Sequence, residues 1–224
     1  MDFKWWINMS TVQGGPRNIV TNGLVLYLDA ANPRSYISGS TVWNDLAGTN
    51  NGTLINGPTF NSSNGGSIVF DGVDDFVSGS CTTVNANVGM TTFIWVRTTI
   101  TSPQVFFSCT SGVNNGFRLE IDGGQFLLTF GGVANYSSGN SVSDGNWKQL
   151  VVTTVGTTGR IYINGNLVAS PTVGTMQGTP NQFVISGSTI RFLNGNVASV
   201  ILYNRALSAS EVLQNYNATK RRYL

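Results

Sequence analysis

The chain contains no histidine among its 224 residues. This absence excludes a Ser-His-Asp or Cys-His nucleophile and a histidine-ligated zinc site. Two cysteines are too few for a structural zinc site of four ligands. No G-x-x-x-x-G-K-[ST] segment occurs either, so phosphate binding by such a loop is unsupported. The best-known routes to hydrolytic and nucleotide-dependent catalysis are therefore closed.

Charge is also scarce. Only 10% of the residues are charged, against about a quarter in an ordinary soluble domain. The net charge is +2, and lysine and arginine cluster only near the C-terminus, so we expect no nucleic-acid partner. Apolar runs last only a few residues, so we expect no membrane-spanning helix and no membrane partner. The opening segment, MDFKWWINM, does not read as a secretory signal peptide, and we expect synthesis in a host cytoplasm.

The two cysteines, Cys81 and Cys109, are 28 positions apart. A single pair does not determine whether a bridge forms. In a chain made in a reducing cytoplasm, two buried thiols on neighbouring strands are favoured over a disulfide.

Short apolar runs rich in Val, Ile, Phe and Thr alternate with turns rich in Gly, Asn and Ser, which is typical of β-strands. Asn164-Gly165 and Asp122-Gly123 predict tight hairpins. One segment predicts a helix, because Ser208 and Glu211 form a capping box before an apolar face. The pattern predicts an all-β fold, a two-sheet antiparallel jelly-roll sandwich with one short C-terminal helix.

The first part of the chain differs from this pattern. Residues 1–23 lack strand alternation and are predicted to form an extended N-terminal arm, while residues 24–224 form the sandwich, the helix and a basic tail. Trp5 and Trp6 in the arm carry a large apolar area, which either folds back onto the sandwich or docks on a partner. Met9 is a second possible start of translation.

Five segments of the chain carry a family resemblance. They are GLVLYLDAANPRSY, VWNDLAGTNNGTLINGPTFNSSNGGSIVFDGVDDFV, NWKQLVVTT, GRIYINGNLV and VILYNRALSASEVLQNYNATK. Together they resemble the laminin-G-like, concanavalin A-like jelly-roll family, in the version found in virion structural proteins of tailed phages of marine and cyanobacterial type. The resemblance covers about residues 14–222. It implies the jelly-roll fold, but the fold serves many functions.

The segment FDGVDDFV places Asp71, Asp74 and Asp75 within five positions. The favoured interpretation is a strand, a tight turn and a second strand, with the aspartates bonding local backbone N–H groups. The alternative is a site for a hard cation such as Ca²⁺, which prefers carboxylate and carbonyl oxygens on a loop. No other cofactor is expected.

The segment EIDGGQ matches two positions of the E-x-D-x-x-E strand of glucanases with this fold. Glu120 and Asp122 match, whereas Gln125 replaces the third carboxylate and cannot exchange the catalytic proton. Glu120 and Asp122 are therefore predicted to lie on a solvated strand edge. We expect that the chain is not an enzyme, and a glycoside hydrolase is the disfavoured alternative.

A carbohydrate site would need an aromatic side chain beside Asn and Asp groups on loops. Trp43, Asn44, Asp45 and Tyr136 are the candidates for such a site. The favoured function is nevertheless that of a virion structural protein, a capsid decoration or another exterior particle component. It would attach to other virion proteins through Trp5 and Trp6 and through the tail residues Lys220, Arg221 and Arg222. The alternative is a lectin-like receptor-binding or adhesion module that binds a glycan, and a homo-oligomer is compatible with either.

Overall fold

A computed structural model describes residues 18–81, 84–111, 115–131, 134–187 and 190–223, and all structural statements refer to these residues. They form two antiparallel sheets that pack face to face. One α-helix follows the last strand. The predicted two-sheet jelly-roll sandwich with a short C-terminal helix is thus confirmed. Trp5 and Trp6 lie outside the described residues.

The strands are, in chain order, β1 (Leu24–Asp29), β2 (Val42–Trp43), β3 (Gly52–Ile55), β4 (Thr59–Asn61), β5 (Ser67–Asp71), β6 (Phe76–Ser80), β7 (Met90–Arg97), β8 (Gln104–Thr110), β9 (Phe117–Asp122), β10 (Gln125–Phe130), β11 (Ala134–Ser141), β12 (Lys148–Val155), β13 (Thr158–Ile163), β14 (Asn166–Ala169), β15 (Gln182–Ile185) and β16 (Asn194–Tyr203). Helix α1 spans Ala209–Thr219, and short 3₁₀ helices span Ser63–Gly65 and Lys220–Arg222.

Each sheet has eight strands. Sheet A has the order β14-β13-β12-β7-β16-β5-β4, and β1 also pairs with β16. Sheet B has the order β11-β10-β9-β8-β15-β6-β3-β2. Strand β9 therefore lies inside sheet B, whereas β2 and β11 are its two edges.

The core lies between the two inner faces, because successive residues of a strand point to opposite faces of its sheet. On β9 the inward residues are Leu119 and Ile121, both fully buried. On β10 Phe126 and Leu128 play the same part. Full burial of each such side chain stabilises the fold by roughly 1.5–3 kcal/mol.

The outer face of sheet A is covered by the C-terminal helix. Val212 on α1 packs against Phe93, Val151 and Ile201, all of which point away from the core. The predicted capping box is present, since Ser208 and Glu211 satisfy each other's backbone N–H groups. The helix and the outer face of sheet A thus form a second, smaller apolar cluster.

The end of the predicted arm packs against this helix. The backbone N–H of Val20 donates to Asn215 Oδ1 at 2.8 Å, and the Tyr203 hydroxyl donates to the Val20 carbonyl at 2.7 Å. Gln214 Nε2 donates to the Asn18 carbonyl at 2.9 Å. Residues 18–23 therefore belong to the packed body, although they form no strand.

Two predicted turns are observed, one of them shifted by a residue. Asn164 and Gly165 both have positive φ angles, 52° and 77°, as a tight hairpin of the I′ type requires. In the second hairpin the turn residues are Gly123 and Gly124, because Asp122 still pairs with Gln125 in the ladder. Glycine tolerates positive φ without steric cost, so the Gly-Gly pair takes the turn.

Cys81 and Cys109 form a disulfide, with Cα atoms 6.2 Å apart. The prediction of two free thiols is therefore wrong for this structure. The bridge passes across β15, since Cys109 pairs with Phe183 and Cys81 directly follows β6 on the other side of that strand. The topology brings the sulfur atoms together, and the spacing in the sequence carries no such information.

Among the described residues, no helix is both long enough and apolar enough to cross a lipid bilayer.

Candidate functional site

The three aspartates of FDGVDDFV lie together at one end of the sandwich. Asp71 ends β5, and Asp74 and Asp75 complete the turn into β6, as the strand–turn–strand prediction requires. Asp71 accepts a hydrogen bond from the N–H of Val73 at 2.8 Å, and Asp75 accepts one from the N–H of Asp71 at 3.1 Å. These bonds organise the turn in the manner of Asx motifs.

The same aspartates offer carboxylate oxygens that all lie within 4.8 Å of one another. Burial raises the pKa of Asp75, the bond from the Asp71 N–H lowers it, and the negative charges of Asp71 and Asp74 raise it further. Hard carboxylate oxygens on a loop suit Ca²⁺, and Ca²⁺ binding here stays a prediction. Thermal melts of the wild type and of Asp74→Asn, with and without Ca²⁺, test it.

The predicted carbohydrate residues do not form one surface. Trp43 is fully buried in the core, on the edge strand β2, while Tyr136 lies on the opposite edge strand, β11. The Tyr136 hydroxyl accepts a hydrogen bond from the N–H of Gly174 at 2.6 Å. Neither ring is therefore an exposed platform for a sugar.

Asn44 contributes to the local loop through its main chain, and Asp45 does so through its carboxylate. The Asn44 carbonyl accepts from the Ser35 hydroxyl at 2.6 Å. The Asp45 carboxylate accepts from the N–H groups of Tyr27 and Ala47, both at 2.9 Å. Because Asp45 is 8% exposed, its oxygens are committed to holding a loop against β1.

The predicted anchor residues of the tail pack largely against the sandwich. Arg222 forms a two-pronged ion pair with Asp29, at 2.7 and 2.8 Å, and Lys220 lies over the ring of Tyr216, 5.1 Å from its centroid. Arg221 is exposed. Partner binding by this tail stays a prediction, and within the described residues Arg221 is its most accessible member.

Tyr223 fixes the tail on the outer face of sheet A. Its ring stacks on Trp95 with centroids 4.2 Å apart and meets Trp147 at 5.1 Å. Burial raises the pKa of Tyr223 to about 12, and the positive charge of Arg222 only partly opposes this. The phenol therefore stays neutral and acts as a packing group.

The most unusual group of the molecule is the carboxylate of Glu120. Leu119 and Ile121 point into the core, so Glu120 points to the outer face of sheet B. A charged residue on an outer face normally meets water, yet Glu120 is only 1% exposed. The prediction of a solvated strand edge is therefore wrong for Glu120, while Asp122 is exposed as predicted.

Polar partners surround this carboxylate. Arg191 Nη1 donates to Glu120 Oε2 at 3.1 Å, and Arg118 Nε lies 3.7 Å from the same oxygen. The Thr129 hydroxyl donates to Oε1. Burial of an ionised carboxylate is costly unless charges and hydrogen bonds compensate it, and here two guanidinium groups do so.

Apolar residues flank Glu120 in the neighbouring strands. Leu127 on β10 and Val105 on β8 are its cross-strand partners, and both are buried. Asn135 and Ser137 on β11 extend the same face as an exposed polar rim, since they pair with Thr129 and Leu127. We call this surface, made of Arg118, Glu120, Thr129, Asn135, Ser137 and Arg191, the arginine–glutamate face.

The described helices lie away from this face, whose accessible members are Asn135, Ser137 and the partly exposed Arg118 and Arg191. Helix α1 packs on the outer face of sheet A. The helix Ser63–Gly65 also lies on that side, where Asn64 accepts from Trp147 Nε1 at 3.3 Å and donates to the Arg222 carbonyl at 3.0 Å. In the part of the chain that the structure describes, no helix packs against the outer face of sheet B.

A concave region lies at the edge of the sandwich, between the loop before β2 and the loop before β4. It encloses about 530 Å³ and is lined by no charged side chain of the described residues. Asn56 on its rim donates to the Asp74 carbonyl at 3.0 Å, which connects this edge groove to the aspartate turn. Its lining residues include Tyr36, Ser40, Leu54, Pro58 and Phe60.

A family profile described as the concanavalin A-like lectin/glucanases superfamily matches residues 70–213, more than half of the chain. The chain belongs to this superfamily. The laminin-G-like, concanavalin A-like part of the predicted resemblance is thereby confirmed. No curated protein matches the sequence.

Solved structures of the same fold include Trypanosoma rangeli sialidase in complex with sialic acid, with a TM-score of 0.66 and 18% identity over 89% of this chain and 33% of the sialidase chain. The receptor binding domain of botulinum neurotoxin C/D mosaic serotype has a TM-score of 0.69 and 13% identity over 88% of this chain and 51% of that chain. This chain thus spans about a third of the first and about half of the second. At such identities the likeness shows the fold alone.

These neighbours correct one expectation. Sequence reasoning predicted that the chain is not an enzyme, but several similar structures are sialidases, which are enzymes. Membership of this superfamily therefore does not exclude catalysis, and the distant match does not establish it.

Sequence reasoning named only Glu120 of the arginine–glutamate face and missed both of its arginines. Arg118 was within reach, because strand alternation in FRLEID places Arg118, Glu120 and Asp122 on one face. Arg191 lies 71 positions from Glu120 in the chain and arrives through the connection between β15 and β16. No local pattern marks that contact.

Proposed function

We propose that this member of the lectin/glucanase superfamily binds carbohydrate, and that the arginine–glutamate face of sheet B is its binding surface. The observation that carries the proposal is the buried Glu120, held between Arg118 and Arg191 on a sheet face that no described helix covers. A buried ionic group contributes little to stability compared with an apolar residue of similar size. Its presence beside partly exposed arginines on a face that no described helix covers therefore favours a binding role.

The chemistry of the face suits a sugar. Carbohydrates present closely spaced hydroxyl groups, which need both donors and acceptors at fixed positions. The guanidinium groups supply donors, and the exposed side chains of Asn135 and Ser137 supply both donors and acceptors. Similar folds in sialidase with bound sialic acid and in a toxin's receptor binding domain are compatible with this role.

A glycan array followed by titration calorimetry tests the proposal. Asn135→Ala changes the exposed rim and should weaken binding at least fivefold, because it removes one donor–acceptor group from the contact. Asn166→Ala, on an exposed position of β14 in sheet A, is the matched control and should bind normally. Loss of binding in a Thr59→Trp variant, which fills the edge groove, with none in Asn135→Ala, would contradict the placement of the site.

A second candidate function is that of a virion structural protein, a capsid decoration or another exterior component found in the virion. It rests on the phage-type sequence resemblance and on one structural observation. Asn18 and Arg222, near the two ends of the described chain, line the same groove of about 450 Å³. The predicted anchors, the arm with Trp5 and Trp6 and the basic tail, would thus join the body on one side and leave sheet B facing outward.

Co-sedimentation with purified particles of the source virus tests this second function. The full chain and a form lacking residues 1–16 should be compared. We expect the full chain to sediment with particles and the shortened form to be lost. Retention of the shortened form would move the interface to the tail or the sandwich, and absence of both from particles would contradict the virion role.

A further inference from the structure

We propose that the carbohydrate recognised by the arginine–glutamate face is acidic, carrying a carboxylate or a sulfate group that Arg118 and Arg191 bind. This inference rests on the proposed carbohydrate-binding function and specifies its ligand class. It derives from the balance of charge and of hydrogen bonds around Glu120.

The first step concerns charge. Both arginines approach the same oxygen, Oε2 of Glu120, at 3.1 and 3.7 Å. Two positive charges thus share one negative charge, which leaves a local surplus of one positive charge. Asp122 does not cancel it at Arg118, because four residues along a strand separate the two positions by about 13 Å.

The second step concerns hydrogen-bonding capacity. A guanidinium carries five N–H donors in a planar fork that matches a carboxylate or a sulfate. Glu120 accepts one of these from Arg191, and its other oxygen accepts from Thr129. One carboxylate therefore uses a small part of what two arginines can donate.

The third step concerns accessibility. The side chains of Arg118 and Arg191 are 24% and 40% exposed, whereas that of Glu120 is 2% exposed. The carboxylate is thus buried while both arginine side chains are partly exposed, and its ion pairs with them fix their orientation. Orientation before binding lowers the entropy cost of ligand capture, so Glu120 acts as a positioning residue.

Geometry also favours a substituted sugar over a free ion. The exposed rim residues Asn135 and Ser137 lie beside the ion cluster, because they pair with Thr129 and Leu127. The hydroxyl groups of a sugar can bond this rim while its acidic substituent reaches the guanidinium groups. A small inorganic anion would make only the second contact, so we expect it to bind weakly.

Two pairs of glycans test the proposal by calorimetry at low ionic strength. Oligogalacturonate is compared with its methyl ester, and sulfated dextran oligosaccharide with plain dextran oligosaccharide. At least one acidic member should bind ten or more times tighter than its uncharged partner. The advantage should shrink as salt rises from 20 to 500 mM, because salt screens the charge. The pair that shows the effect identifies the acidic group.

Variants locate the effect. Arg191→Gln and Arg118→Gln should each lose most of the preference for the acidic glycan, with at least a tenfold loss in affinity. Arg34→Gln removes the same charge from an exposed position lining the groove near Asn18 and is the control. It should retain the preference.

Each other outcome counts against the inference. Equal binding of acidic and neutral partners overturns it while leaving the carbohydrate-binding function intact. An equal loss in all three arginine variants shows general electrostatic attraction and overturns it as well. Binding of no glycan on the array or in these titrations contradicts the proposed function itself. The salt titration uses the wild-type chain and decides the matter even if a variant fails to fold.

Discussion

The disulfide between Cys81 and Cys109 gives a quantitative prediction. The two residues are 28 positions apart. The chain-entropy relation for a loop of that length gives about 12 cal/mol/K, or about 3.6 kcal/mol at 25 °C, by which the bridge destabilises the unfolded chain. With a urea m-value of about 2.5 kcal/mol/M, its removal should lower the unfolding midpoint by about 1.4 M.

Urea unfolding followed by tryptophan fluorescence measures this shift. The wild type should be compared with and without reductant, beside a Cys81→Ala/Cys109→Ala variant. Reduction and substitution should lower the midpoint by similar amounts, since both remove the same constraint. The double variant carries no bridge and serves as the control, because reductant should not change its midpoint.

Two results would refute the reasoning. The first is a midpoint shift below about 0.3 M, which would mean that the bridge does not constrain the unfolded chain as the loop relation requires. The second is the release of two reactive thiols when the untreated protein is unfolded without reductant. That result would restore the free-thiol prediction for a chain from a reducing compartment.

Three further predictions concern pH and packing. The ion pair with Arg205 and the helix cap lower the pKa of Glu211 to about 2. The contribution of Glu211 to the free energy of unfolding is therefore full above pH 4.5 and falls by about 1–2 kcal/mol as pH drops toward 2. Acid titration of the Glu211→Gln variant should lack this loss. Burial raises the pKa of Asp75, so ionised Asp75 weakens the fold above its ordinary pKa of 3.8, and Asp75→Asn should melt higher than the wild type at pH 7 but not at pH 3. Tyr223→Ala removes the ring stacked on Trp95 and should lower the free energy of unfolding in urea by about 3 kcal/mol. An unfolding midpoint equal to that of the wild type would show that Tyr223 does not hold the tail on sheet A.

The architecture was predictable because local signals agreed with it. The turn pair Asn164-Gly165 and the capping box at Ser208 and Glu211 are both observed where the sequence placed them. Such features depend on neighbouring residues and on backbone conformation alone. The strand–turn–strand prediction for Asp71–Asp75 was correct for the same reason.

The site was harder to predict, because it depends on contacts between distant parts of the chain. Glu120 meets Arg191 only after β8, β9 and β15 have joined one sheet. The burial of Trp43 and the bridge between the cysteines likewise arise from sheet order, which periodicity does not encode. An aromatic beside Asn and Asp thus resembled a sugar platform in sequence and proved to be core.

The covering of sheet A by the C-terminal segment has a consequence for how the molecule is presented to its surroundings. Tyr223 and Arg222 hold the last described turn of the chain against that sheet. Asn18 and Arg222 line one groove on that side. The chain before Asn18 and the chain after Tyr223 therefore join the described body on one side. The opposite side of the sandwich, which carries Arg118 and Arg191, would then face away from the point of attachment. The protein immobilised on a support through either end should therefore bind as much soluble glycan per molecule as the free protein does.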